Sequence, residues 1–263
     1  MSQYLFGDYV EHRKRGDDFI DGAQPASPSP DFTLRINTAP VKVTPTSLVI
    51  LCESCDRAET GRLWTVATDA RNKVDVTHGN ITKATTAAIV NAANKNLGEG
   101  GGVCGAIFGA VKRAGGHAQL TAACREIGHC PTGDAVITPS FGLAAPWIIH
   151  AVGPVWRGRK WDEINSPLTE DELSQLRELG ETYVAVLRVC RENGVSSVTI
   201  PAISTGIYGL QKELGAAIAR TVCARDAGDL KVTLIAYEDD SHETLAAAPT
   251  AAALRMLSSV GLW

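Results

Sequence analysis

Nowhere in the sequence do roughly eighteen apolar residues run together, so it offers no helix of membrane-spanning length. The amino-terminal stretch MSQYLFGDYVEHRKRGDDF is charged and lacks the apolar segment of a secretory leader. Both absences point to a cytoplasmic protein with no membrane partner. Charge of one sign is missing too: a formal net charge of −4 over 263 residues gives no global field for gathering a polyanion, so nucleic acid is not an expected partner. Nor do the seven cysteines make a disulfide framework, being odd in number and scattered through apolar stretches, as suits buried reduced thiols. Cys52-Glu-Ser-Cys55 has no second pair at suitable spacing, which favours an incidental pattern over zinc. No internal repeat is found.

What is there reads as a soluble globular chain, 44% hydrophobic and 21% charged, long enough for one ordinary domain with an appendage. Residues 1–72 are assigned to an amino-terminal extension or small β-rich module, and 73–263 to the main domain. Gly22 to Asp31 (GAQPASPSPD) is a proline- and serine-rich loop, and residues 1–45 read as extension or linker. SLVILCES, RLWTVATD and KVDVTH read as three short strands, either opening the main sheet or forming a separate module. After Gly79, apolar runs at 87–91, 135–138, 147–152, 197–201 and 232–237 read as strands covered on both faces. Between them, apolar residues at three- and four-residue spacing predict helices over 103–114, 117–126, 169–191, 210–224 and 242–257. In the longest, Leu173, Leu176, Leu179, Tyr183, Val186, Leu187 and Cys190 form one stripe, with Gly194 as a stop. The alternation predicts an α/β fold, a three-layer α/β/α sandwich.

Two loops each follow a predicted strand and open a predicted helix: Asn91 to Phe108 (NAANKNLGEGGGVCGAIF) and Pro201 to Gly209 (PAISTGIYG). Glycines let the backbone approach a ligand with consecutive N–H groups, and a helix N-terminus adds a favourable dipole for phosphate. Two such loops at the carboxyl ends of strands in one sheet can hold a diphosphate between them. Gly100, Gly102 and Gly105 satisfy G-x-G-x-x-G, but polar and small residues separate them from the strand, and no clear acidic residue ends a later strand as a nicotinamide dinucleotide site requires.

The motifs His78-Gly79-Asn80-Ile81-Thr82, AIVNAAN, GGGVCGAI, Pro131-Thr132-Gly133-Asp134-Ala135, Ile148 to Pro154 (IIHAVGP) and IPAISTGIYG together resemble the macrodomain family, in family order. They are most similar to the branch that removes ADP-ribose from proteins and hydrolyses O-acetyl-ADP-ribose. The resemblance implies a mixed central sheet, ADP-ribose or an ADP-ribosylated protein as partner, and neither metal nor cofactor. By the same resemblance, Asn80 takes the place of an aspartate that contacts the adenine amino group, its carboxamide oxygen accepting instead, and Ile81 brings its backbone N–H near the base. Asn94 would orient the distal ribose, and Tyr208 would lie against it. Gly101, Gly102 and Val103 would line the first phosphate loop, and Ser204, Thr205, Gly206 and Ile207 would cradle the second.

Cys104 departs from the family, whose hydrolases of bacteria and animals usually carry aspartate there; the GVC pattern resembles certain viral macrodomains. As chemistry, it is either a space-filling thiol or a thiolate activated at a helix N-terminus. Asn94, Cys104 and Tyr208 are the catalytic candidates. The expected mechanism is attack of water on the distal ribose, the water lying between Asn94 and the ligand's own phosphate. A non-catalytic reader of ADP-ribose is the rival reading, and a glycohydrolase of the polymer is disfavoured because Phe108 and Gly109 stand where paired glutamates are expected. His150 reads as a core histidine, Asp239 and Asp240 as solvent-facing, and Trp156 to Lys160 (WRGRK) as a solvated basic loop.

Overall fold

The computed structural model describes strands Phe32–Ile36 and Ala39–Val43 and residues 74–160 and 168–247. The chain divides into two compact units, Met1–Arg71 and Asn72–Trp263. In the first, β1 (Phe32–Ile36) and β2 (Ala39–Val43) pair antiparallel, with Phe32 opposite Val43. The hairpin falls in the stretch expected to be linker. The runs SLVILCES and RLWTVATD, and the Cys52/Cys55 pair, lie outside the described residues.

The second unit contains β3 (Val74–His78), a single 3₁₀ turn (Ile81–Lys83), β4 (Ala88–Ala92), α1 (Gly102–Arg113), α2 (His117–Ile127), β5 (Ala135–Pro139), β6 (Trp147–Ala151), α3 (Glu170–Glu192), β7 (Ser197–Pro201), α4 (Lys212–Asp226), β8 (Lys231–Ala236) and α5 (Asp239–Ala246). The sheet order is β3-β8-β7-β4-β6-β5. All neighbours are parallel except β5, which runs antiparallel to β6. This is the expected mixed-sheet sandwich. The β4 and β7 strands pair only through Ala88↔Val198 and Ile89↔Thr199, so they part toward their carboxyl ends, where both glycine loops leave.

Burial on both faces explains the continuous apolar runs. Ala88 and Val90 of β4 pack into a core with α3 and α4, whereas Ile89 packs into a second core with Ile107, Phe108 and Val111 of α1 and Leu120 of α2. Each such large side chain contributes about 1.5–3 kcal/mol by leaving water. Thr169 and Glu172 form a reciprocal capping box at the start of α3. The predicted stripe is buried at Leu176, Leu179, Tyr183, Val186, Leu187 and Cys190, and Gly194, at φ +65°, turns the chain away.

Two helix starts differ from the sequence reading. The α4 helix begins at Lys212 because the Leu210 N–H turns back to the Ser204 carbonyl at 3.0 Å. The α5 helix begins at Asp239, where two acidic residues in the first turn complement the helix dipole; both are exposed as expected. The expected continuation of α5 past 247 lies outside the described residues. Among the described residues no helix is long and apolar enough to cross a membrane.

Candidate functional site

The first loop is organised by Asn94. Its Nδ2 donates to the Gly98 carbonyl at 2.7 Å, and its Oδ1 accepts from the amides of Asn96 and Gly98, each at 3.2 Å. The Lys95 carbonyl accepts from the Cys130 amide at 2.9 Å, pinning the loop to the chain before β5. At the turn into α1, a side chain on Gly105 would stand 2.6 Å from the Gly100 carbonyl oxygen, so only glycine admits this close approach. The α1 helix carries no acidic residue in its first turn, so no side chain of that turn offsets its positive end.

The second loop is tied down from several sides. Its Ile203 amide donates to the Tyr183 hydroxyl at 3.2 Å, Thr205 Oγ1 donates to the Ala202 carbonyl at 3.0 Å, and the Tyr208 carbonyl accepts from the Trp156 amide at 2.8 Å. Ser204 is buried at φ +67°, and its hydroxyl has no hydrogen-bond partner among the described residues. Ile207 is 76% exposed, yet its Cδ1 comes within 2.8 Å of the place where a Gly101 side chain would begin. Here the two loops meet. Gly206 has open space around its α-carbon. Burial raises the Tyr208 phenol above its ordinary range.

The strand order sets these parts in a row. Asn80 and Ile81 follow β3, Tyr237 follows β8, the second loop follows β7 and the first follows β4. Three inter-strand steps of about 4.8 Å make the row roughly 14 Å long. Tyr237, 75% exposed beside the Gly79–Ala236 hydrogen bond, lies one residue past β8, whereas the sequence places it inside that strand with no part in a site. An aromatic just beyond the end of a buried strand was the available signal.

The macro domain family matches residues 90–219, a span containing both loops. A macro domain-containing protein of Cupriavidus necator is 41% identical over 177 residues, 64% of this chain and 92% of that protein. An O-acetyl-ADP-ribose deacetylase of Escherichia coli strain K12 is 40% identical over 178 residues, 65% and 92% of the two chains. The chain belongs to the macro domain family. Among solved structures, an Oceanobacillus iheyensis macrodomain with ADP has a TM-score of 0.55 at 31% identity, covering 71% of this chain and 92% of the other. A Trypanosoma brucei macrodomain in complex with ADP-ribose has a TM-score of 0.53 at 28% identity, covering 66% and 67%.

Within this macro domain, local packing bears on three of the expectations. The Asn80 carboxamide oxygen accepts from the Thr82 amide at 3.0 Å and from Thr82 Oγ1 at 2.8 Å. Both lone pairs are thus in use, and Nδ2, a donor, is the atom left for a base. Cys104 is 3% exposed and its thiol is raised by burial, with smaller opposing hydrogen bonds from Asn91 and Gly100. A thiol held up in this way suits the space-filling reading. Trp156 to Lys160 is solvated only in part: Arg157 and Lys160 are exposed, but Arg159 pairs with buried Glu172 at 2.7 Å, and the Arg157 amide donates to Gln175 Oε1 at 2.7 Å.

The remaining candidates fall where their surroundings put them. The Ile81 side chain is buried, so only its main chain is available to a ligand. Gly101 and Gly102 are exposed and Val103 half-buried at the mouth of α1. His150 is fully buried; its Nδ1 accepts from Asn91 Nδ2 at 3.1 Å and its Nε2 meets Thr138 Oγ1 at 2.9 Å. Burial pushes this imidazole down to about 4, so it is neutral. Among the described residues no cluster of three metal-ligating side chains occurs.

Proposed function

We propose that this macro domain binds ADP-ribose and hydrolyses ADP-ribosyl esters, either on modified acidic side chains or as O-acetyl-ADP-ribose. The observation that carries this reading is the meeting of the two glycine loops at Ile207 and Gly101 beside the start of α1. Backbone amides and the helix dipole there suit a diphosphate, and the relatives' names and ligands agree with it. The base would lie toward Tyr237 and Ile81, and the distal ribose toward Asn94 and Tyr208.

In O-acetyl-ADP-ribose, where the ester sits on a ribose hydroxyl, water would attack the acetyl carbonyl carbon and release acetate and the free hydroxyl. On a modified acidic side chain, water attacks the anomeric carbon of the distal ribose. Its oxygen forms the new bond as the carbon–carboxylate bond breaks, and its proton passes through the ligand's phosphate to solvent. Asn94 cannot be the base: its oxygen is fully engaged, and one Nδ2–H is committed to Gly98. The other can hold a ribose hydroxyl. Tyr208 would limit the pose of that ribose, and Cys104 would support the loop from below without reacting.

The protonated Cys104 thiol, where hydrolases of the family carry a carboxylate, favours a second reading as a non-catalytic ADP-ribose reader. Incubation with a glutamate-linked mono-ADP-ribosylated protein, following free ADP-ribose, separates the two. Release supports the hydrolase, binding without release leaves the reader, and absence of binding removes both.

A further inference from the structure

Glu172 is a carboxylate that the proposed reaction does not use, yet only 4% of its side chain is exposed. Its Oε1 accepts from the Arg159 amide and from Arg159 Nε, each at 2.9 Å. Its Oε2 accepts from an Arg159 terminal nitrogen at 2.7 Å, from the Thr169 amide at 2.8 Å and from Thr169 Oγ1 at 3.2 Å. A cap on α3 needs only the threonine contacts. The contacts from Arg159 bring in a different segment of chain.

That segment, residues 152–160, lies between α3 and the second loop. On the helix side, the amides of Arg157 and Arg159 donate to Gln175 and Glu172, and Thr182 Oγ1 meets the Val152 carbonyl at 3.3 Å. On the loop side, the intervening Trp156 amide donates to the Tyr208 carbonyl at 2.8 Å. The Trp156 indole closes the strap by donating to the Arg159 carbonyl at 3.2 Å. A side chain on Gly158 would stand 2.7 Å from Glu172 Cγ and collide with the Trp156 ring, so strap and carboxylate are in direct packing contact.

We propose that Glu172 is a positioning residue for Tyr208, acting through Arg159 and the strap to set where the Tyr208 side chain meets the ligand. This rests on reading the two loops as an ADP-ribose cleft. Glu172 touches no part of the cleft. Its leverage comes from geometry, because a misplacement of about 1 Å at a binding group can cost on the order of 10²-fold in rate. Charge-assisted bonds hold the strap more firmly than neutral ones would.

The test uses Glu172→Gln, which keeps a side chain able to cap α3, and Arg159→Gln, which leaves the Glu172 cap untouched. Each should weaken ADP-ribose binding about tenfold by calorimetry. On a Tyr208→Ala background, each should cost less than about twofold, because the group being positioned is gone. A full tenfold loss on that background, or parent-like affinity of the single variants, overturns the proposal. Amide hydrogen exchange supplies a readout without ligand: the Trp156, Gly209 and Leu210 amides should exchange at least about tenfold faster in both variants, with α4 unchanged. Unchanged loop exchange, or a rise spread evenly over the domain, overturns it as well. If the parent fails to bind ADP-ribose, the functional reading falls, and exchange still decides whether Glu172 holds the loop.

Discussion

Replacing Asn80 by aspartate should tighten ADP-ribose binding, although it adds negative charge to a site for an anion. Thr82 occupies both lone pairs of the Asn80 oxygen and leaves Nδ2 as the atom that would face the base of the proposed ligand, where an adenine amino group would oppose it donor to donor. In Asn80→Asp one carboxylate oxygen keeps the Thr82 contacts and the other becomes an acceptor for that amino group. A hydrogen bond to a charged group contributes about 1.5–3 kcal/mol, reduced here because the position is exposed. The opposing term is small. Two inter-strand steps separate β3 from β7, about 10 Å, and at that distance a carboxylate and a phosphate repel by about 0.4 kcal/mol per unit charge in water before salt screening. The net gain is about 1–2 kcal/mol, or roughly 5- to 30-fold in Kd. Calorimetry with ADP-ribose, alongside pyrophosphate as a ligand without a base, measures it directly. Equal or weaker ADP-ribose binding by the folded variant refutes the reasoning, as does a gain shared by pyrophosphate.

Three further outcomes are expected. Gly206→Glu should leave the melting temperature within about 2 °C, since the position has open space and no left-handed backbone, while weakening ADP-ribose at least about 30-fold by charge in the cleft; retained affinity would remove the second loop from the site. Cys104→Ala should keep ADP-ribose release within about tenfold of the parent, a barrier change of about 1.4 kcal/mol, and in the parent iodoacetamide should label Cys104 slowly at neutral pH, because the raised thiol ionises only as pH climbs past the ordinary cysteine range. His150, pushed down to about 4 when folded, takes up its proton first in the unfolded chain, so its contribution is complete above about pH 6.5 and is lost as pH falls toward 4, on the order of 3 kcal/mol. Denaturant titrations across that window should show the loss, and it should shrink in His150→Gln; an identical pH profile would contradict the assignment.

The sandwich was legible because each layer leaves its own period in the chain. Ala88–Val90 is apolar without interruption because both faces of β4 are covered, and the α3 stripe repeats because one face is. The loops were legible from their glycines, and the comparison with relatives bears out the family assigned on the motifs. Orientation was not legible. That Thr82 claims the Asn80 oxygen, that Asn94 spends its carboxamide on its own loop, and that burial holds the Cys104 thiol above its ordinary range follow from local packing that no residue pattern encodes. Arg159 and Glu172 are thirteen positions apart, and nothing in a short basic run marks one of its arginines as a structural anchor. The β1–β2 hairpin escaped notice because nearby prolines and serines dominated the reading of that stretch.

The short seam between β4 and β7 has a mechanical consequence. On one side of it stand β4, β6 and β5, all drawn from one continuous stretch, residues 88–151; on the other stand β7, β8 and β3. The seam is stitched at its amino end only, while the core beneath α3 and α4 runs unbroken across it. Each side carries one glycine loop, so a diphosphate held by both, as proposed, would act as a rivet across the open end of the seam. Part of the free energy of binding would then go into fixing the angle between two plates, and the bound molecule should stiffen backbone near Asn91 and Pro201.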